Sequence, residues 1–257
     1  MAAARTGDSE AWHLMCEPGR NTLWLILAIF MALGIFRALP FLDDSLSRFF
    51  FNAEARSFPL ELSPFWHSLR EFGLHLPRLA MLGALVWLLW ALFASRRTRP
   101  ADIAAPLLAT LSALLGPLLI VNWTLKELWG RARPFQTEIF GGTAAYAPPG
   151  TISDQCQSNC SFVSGETAAA FWLVWLVVLV PQRWRWPVAI AVGLFGLAVS
   201  TLRIGFGRHY VSDVTVSALI AVASVTFTAW ALQTTRGRCA VADLSRWSND
   251  RALRWRG

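Results

Sequence analysis

Charge is what this chain has least of. Asp, Glu, Lys and Arg make up 15% of its 257 residues, against 55% hydrophobic ones that include 14 Trp. That balance is membrane-protein composition and excludes an ordinary soluble domain. No internal repeat and no second domain interrupts it. The first apolar run has no small-residue cleavage site after it and follows some twenty polar residues, so it reads as a span and not as a removable signal. The net charge of +7 is spread over segments that flank the apolar runs, which argues against a nucleic-acid partner and for attraction to anionic membrane lipids. Cysteine is rare. Of four, Cys156 and Cys160 are close in sequence and have no neighbouring His, so they form a poor zinc set; a disulfide or a free thiol pair remains.

Six charge-free runs are present: Asn21 to Phe36, Leu79 to Ser95, Ile103 to Leu125, Thr167 to Gln182, Trp186 to Leu202 and Val214 to Thr235. Each is close to the roughly 17–25 residues of a spanning helix. The expected fold is therefore all-α, a polytopic membrane protein of six transmembrane helices. Arginine collects after runs two, four and six, at Arg96, Arg97 and Arg99, at Arg183 and Arg185, and from Arg236 to Arg256. The positive-inside rule makes those segments and both termini cytoplasmic. Cys16 and Cys239 then lie inside, whereas Cys156 and Cys160 lie outside, where an oxidising periplasm lets them pair. The organisation expected is a lead over 1–20, a membrane domain over 21–235 and a basic tail over 236–257. The tail reads as a basic helix on the inner membrane surface or as a disordered segment.

Outside the membrane, Asp43 or Asp44 can cap a short helix with Leu46, Phe49 and Phe50. Leu62, Phe65, Trp66, Leu69 and Phe72 recur at helical spacing, which predicts a separate helix lying on the outer leaflet. His67 and His75 read as surface residues without a constellation. The connection from Lys126 to Glu166 is long enough to expect a function of it.

Charge becomes informative in the stretch from Arg203 to Asp213. Ionisable groups at the edge of a span are a functional-site hypothesis by default. If a helix starts near His209, Asp213 lies on the same face, four residues on, where a carboxylate can hold one ring nitrogen protonated and leave the other as base or nucleophile. Arg203 and Arg208 offer forked donors to phosphate. The outer side also carries Lys126, Arg133 and Pro134, and then Ser164, Gly165 and Glu166 at the start of run four. Cations, a Ser-Gly turn at a helix start and a His-Asp pair make an anion site with a nucleophile.

These residues resemble the type 2 phosphatidic acid phosphatase family, which shares its site with vanadium haloperoxidases. Its pattern is Lys, six residues, Arg-Pro; then Pro-Ser-Gly-His; then Ser-Arg, five residues, His, three residues, Asp. Lys126, Arg133 and Pro134 match the first part. Arg203, His209 and Asp213 match the third, with Leu202 in place of Ser. The second departs: Val163 replaces Pro, and Glu166 replaces His after Ser164 and Gly165. The resemblance implies hydrolysis of a phosphate ester through a phosphohistidine, without metal or other cofactor. His209 attacks, Asp213 orients it, and Lys126, Arg133, Ser164, Gly165 and Arg203 hold the phosphate. Glu166 must then protonate the leaving oxygen. The Ser-Gly-Glu variant is similar to lipid A 4'-phosphatase-like members, which implies a membrane lipid phosphate as substrate at a periplasmic site. Undecaprenyl diphosphate, phosphatidylglycerol phosphate and phosphatidic acid are the other substrates to consider, and a non-catalytic lipid-phosphate binder or transporter the alternative class.

Overall fold

The computed structural model describes residues 17–94 and 98–254. Cys16, Arg96, Arg97, Trp255 and Arg256, which entered the topology and tail readings, lie outside the described residues. The described chain is helical, and five of its helices are long and apolar enough to cross a membrane. They are α1 (Pro18–Ala38), α4 (Pro64–Phe93), α5 (Pro100–Leu128), α7 (Gln182–Gly205) and α8 (Val211–Gln233). Large apolar side chains such as Phe30, Trp123 and Leu194 point outward and stay exposed, as a lipid-facing surface requires. This is a multi-pass membrane protein.

The fourth predicted run differs from the others. It forms α6 (Gly165–Trp172), 8 residues long, continued by 6 residues of 3₁₀-helix, Leu173–Val178, and spans about 24 Å in all. It packs inside the bundle, where Trp172 is fully buried and donates to Ser112 Oγ at 3.0 Å. Beside it, α8 is the axis of the fold and contacts α1, α5 and α6.

Two expectations are corrected. The helix expected around Phe65 to Phe72 is present but is not an element of its own: those residues form the first turns of α4, which runs unbroken for 30 residues from Pro64 through Pro77. At about 45 Å it exceeds a hydrocarbon core of about 30 Å, so its first turns carry His67 and Arg70 beyond the span. Neither Asp43 nor Asp44 caps α2 (Phe41–Phe49); Pro40 holds that position and both acids lie in the first turn. The short α3 (Pro59–Leu62) follows.

In α5 the residues Leu114–Leu125 are wound as a π-helix around Pro117, whose missing N–H and bulky ring disrupt regular α-helical bonding. Asn122 Nδ2 returns to Pro117 O at 2.7 Å and Thr124 Oγ1 to Leu119 O at 2.9 Å. The widened turn ends at Lys126. The basic tail is α9 (Thr235–Arg254), docked on α4, α5 and α8 through bonds such as Ser245 Oγ to Thr98 O at 2.6 Å.

Candidate active site

The sequence-predicted residues meet at one end of the bundle, brought there by helix ends. Arg203 lies in the last turn of α7, and Glu166 in the first turn of α6, whose N-cap is Ser164. Ser164 Oγ accepts from Thr167 N at 3.4 Å. Gly165 admits a close approach by α5: a Cβ there would lie 2.3 Å from Asn122 Oδ1 and would push that side-chain amide aside. Gly207 turns the chain between α7 and α8 with φ +62° while Phe58 packs against it. Lys126, Arg133 and Arg203 are close enough to interact as like charges, an arrangement that an anion relieves.

Arg203 is 5% exposed, and among the described residues its buried Nε–H has no acceptor. Its ion pair with Glu166 spans 3.3 Å. Glu166 also accepts from Arg70, Nη2 at 2.7 Å and Nε at 3.3 Å, a partnership absent from the sequence reading. Arg70 comes from the projecting start of α4. A polar cleft of about 240 Å³ is lined by Arg70, Arg133, Arg203 and Arg208 with His67 and Glu61, so His67 does belong to a constellation. Arg208 is ion-paired with Glu61 and lies over the Phe135 ring. His75 stays exposed and faces Glu71 at 3.1 Å.

The His-Asp relation also differs from the expected one. The helix begins at Val211, not at His209, with Tyr210 as N-cap. The two residues therefore do not share a helix face, and Nδ1 of His209 stands 3.8 Å from Asp213 Oδ2, beyond hydrogen-bond range. Nδ1 instead donates to Ser161 O at 2.7 Å. A carbonyl can only accept, so Nδ1 holds the proton and Nε2 keeps its lone pair. Burial pushes the His209 imidazole down to about 4, against the pull of Asp213. Asp213 itself accepts from Arg131 Nη1 at 2.6 Å, Ser161 Oγ at 2.6 Å and Tyr210 N at 2.9 Å.

Cys156 and Cys160 are joined in a disulfide with Cα atoms 5.7 Å apart. The loop it closes reaches the site: Asn159 O accepts from Arg133 Nη2 at 2.7 Å, and Cys160 N donates to Lys126 O at 3.1 Å. A second cavity, of about 300 Å³, runs from Lys126, Gly165 and Glu166 to apolar Leu74, Met81 and Leu118 between α4 and α5.

Sequence reasoning missed Arg70, Arg131 and Asp43. Arg131 left a weak signal, a third cation between Lys126 and Arg133; Asp43 left another, an acid inside an apolar stretch.

Comparison with known proteins accounts for this grouping. Residues 105–236 match the PAP2 superfamily. Two relatives called lipid A 4'-phosphatase are each 39% identical. That of Rhizobium leguminosarum aligns over 71% of this chain and 83% of its own, and that of Rhizobium etli over 76% and 78%. A third of the same name, from Francisella tularensis subsp. novicida, is 33% identical over 74% of this chain and 85% of its own. No solved structure matches. Match length and identity agree with the convergence of helix ends on one cationic pocket: this chain belongs to the PAP2 superfamily.

Proposed function

We propose that this protein is a phosphatase that removes the 4'-phosphate of lipid A at the periplasmic face of a bacterial inner membrane, crossing it six times with both termini inside. The observation that carries the reading is the buried Nε–H of Arg203, which has no acceptor among the described residues and sits among converging cations. Buried donors are almost always paired, and a phosphate oxygen is the acceptor this one suits. The apolar groove that ends at Lys126 and Glu166 favours a phosphate carried on a lipid.

In this reading Nε2 of His209 attacks phosphorus and the bond to the sugar oxygen breaks. Lys126, Arg133, Arg203, the Ser164 hydroxyl and the Gly165 amide stabilise charge on the equatorial oxygens. Glu166 gives its proton to the leaving oxygen. It then takes one from the water that attacks phosphorus and breaks the P–N bond, which restores both groups. Resting Glu166 is held by Arg70 and Arg203. An arriving phosphate competes for those guanidiniums and sets like charge beside the carboxylate, the condition under which a carboxyl takes up a proton.

The test is phosphate release in detergent from lipid A, undecaprenyl diphosphate, phosphatidylglycerol phosphate and phosphatidic acid, with His209→Ala as control. Mass spectrometry should find lipid A product lacking the 4'-phosphate, and none with His209→Ala. Faster turnover of another lipid would reassign the substrate; phosphoenzyme in the His209→Ala protein would remove the nucleophile.

A further inference from the structure

On the Nδ1 side of His209 lies a second charged group that the phosphatase chemistry does not account for. Asp43, Arg131 and Asp213 are each 0% exposed. Arg131 uses all its donors. Nε goes to Ala147 O at 2.8 Å; Nη1 goes to Asp213 at 2.6 Å and Ser212 Oγ at 2.9 Å; Nη2 goes to Asp43 at 2.7 Å and Tyr146 OH at 3.4 Å. Its guanidinium also lies 4.3 Å from the centre of the Tyr210 ring. Asp43 accepts further from Ser212 N at 2.8 Å and Ser212 Oγ at 2.7 Å.

A buried ion network is by itself weak evidence of stabilisation, since desolvation offsets much of the attraction. What this one touches is more informative. Ser161, whose carbonyl receives the His209 proton, is gripped twice: its N–H donates to Arg131 O at 2.8 Å and its hydroxyl to Asp213 at 2.6 Å. We propose that Asp43 and Arg131 are positioning residues of the hydrolysis, fixing Asp213 and Ser161 so that the imidazole presents Nε2 at the angle of attack. The network has a second effect. Two carboxylates and one guanidinium leave one net negative charge behind a ring that becomes cationic as it takes the phosphoryl group.

This inference rests on His209 being the nucleophile. The groups that face the ring are Arg203 from α7, Lys126 from α5, Glu166 from α6 and Asp213 from α8. The experiment compares Asp43→Asn and Arg131→Met with the wild type, measuring kcat and KM on an aryl phosphate across pH, with inorganic phosphate as inhibitor to report the intact cationic pocket. Asp43→Asn should lower kcat by roughly 10²-fold, the effect of a misplaced reacting group, with KM and phosphate inhibition nearly unchanged. Arg131→Met leaves two carboxylates behind the ring without their cation. It should also move the acid limb of kcat/KM to higher pH, whereas Asp43→Asn, which removes a negative charge, should not. Ionisation of the substrate is common to all three proteins, so the displacement between them is what is read. Normal kcat in Asp43→Asn, or a loss confined to KM, would overturn the proposal, as would identical pH profiles in two folded variants. If Arg131→Met does not fold, the kcat and KM of Asp43→Asn decide alone. An inactive wild type, or an active His209→Ala, would instead refute the phosphohistidine reading.

Discussion

Arg131 and Arg203 are both buried arginines, one bonded to Asp213 and the other acting on His209 through its charge, and they are opposites. Arg131 has an acceptor for every N–H it owns, two of them carboxylates. Among the described residues Arg203 has one shared carboxylate and a buried Nε–H with no acceptor. Burial pushes against charge at Arg131, but Asp213 and Asp43 more than offset it, and its pKa is raised. A guanidinium with a complete set of partners holds parts of the protein to one another. One with an incomplete set, placed among other cations, keeps a donor that an anion can take up.

The largest expected effect tests the group that shares Arg203. Glu166→Gln keeps size and polarity but has no proton to give, so hydrolysis of a sugar or alkyl phosphate should fall by about 10²–10⁴-fold. An ester that leaves as a stabilised phenolate should recover much of that loss. Equal losses on both esters would mean that Glu166 orients phosphate or water. Next, the two arginines should fail differently. Arg203→Ala removes a preorganised anion donor and should cost about 10²–10³-fold in kcat, with little change in the unfolding midpoint, because Glu166 keeps Arg70. Arg131→Met strands two buried carboxylates and should cost about 3–5 kcal/mol of stability, visible in denaturant or heat. Equal stability losses from the two would erase the distinction.

A smaller effect comes from pH. His209 is neutral in the fold down to about 4, while an unfolded chain protonates it near 6.5. The unfolded state therefore binds more protons in that window, and stability should fall as pH drops from about 6.5 to about 4. His209→Gln should remove that slope. The smallest effect concerns the disulfide loop. Replacing Cys156 and Cys160 by Ser frees Asn159, one neutral acceptor of Arg133, and should cost roughly 2- to 10-fold in kcat/KM, the worth of one such hydrogen bond. A larger loss would place the loop closer to the chemistry than Arg131.

These residues were unequally visible in sequence. Lys126, Arg133, Arg203 and His209 sit at fixed spacings beside apolar runs, and spacing survives in one dimension. The spans were visible for the same reason, although α4 was divided because Arg70, Glu71 and Arg78 interrupt hydropathy without interrupting helical bonding. The 3₁₀ end of α6 left no mark, since its residues are as apolar as those of a longer helix. Arg70 and Asp43 were hidden differently. Each gains meaning from a partner 88 or more positions away, and a pair of that kind has no period to detect. The helix starts two residues later than His209, which leaves Asp213 3.8 Å from Nδ1 and the ring N–H bonded to Ser161 O.

The buried triad also has a consequence for how the protein is made. Asp43, Arg131 and Asp213 are separated by 88 and 82 positions, so they leave the ribosome at the start, middle and end of the membrane domain. Until α8 has been inserted, Arg131 lacks Asp213 and Asp43 lacks the Ser212 amide, and such groups are costly in a dry interior. They must wait in water. Closure of the charged cluster therefore follows insertion of the last span, and a chain halted after α7 holds the cations of the pocket without the seam that aligns His209.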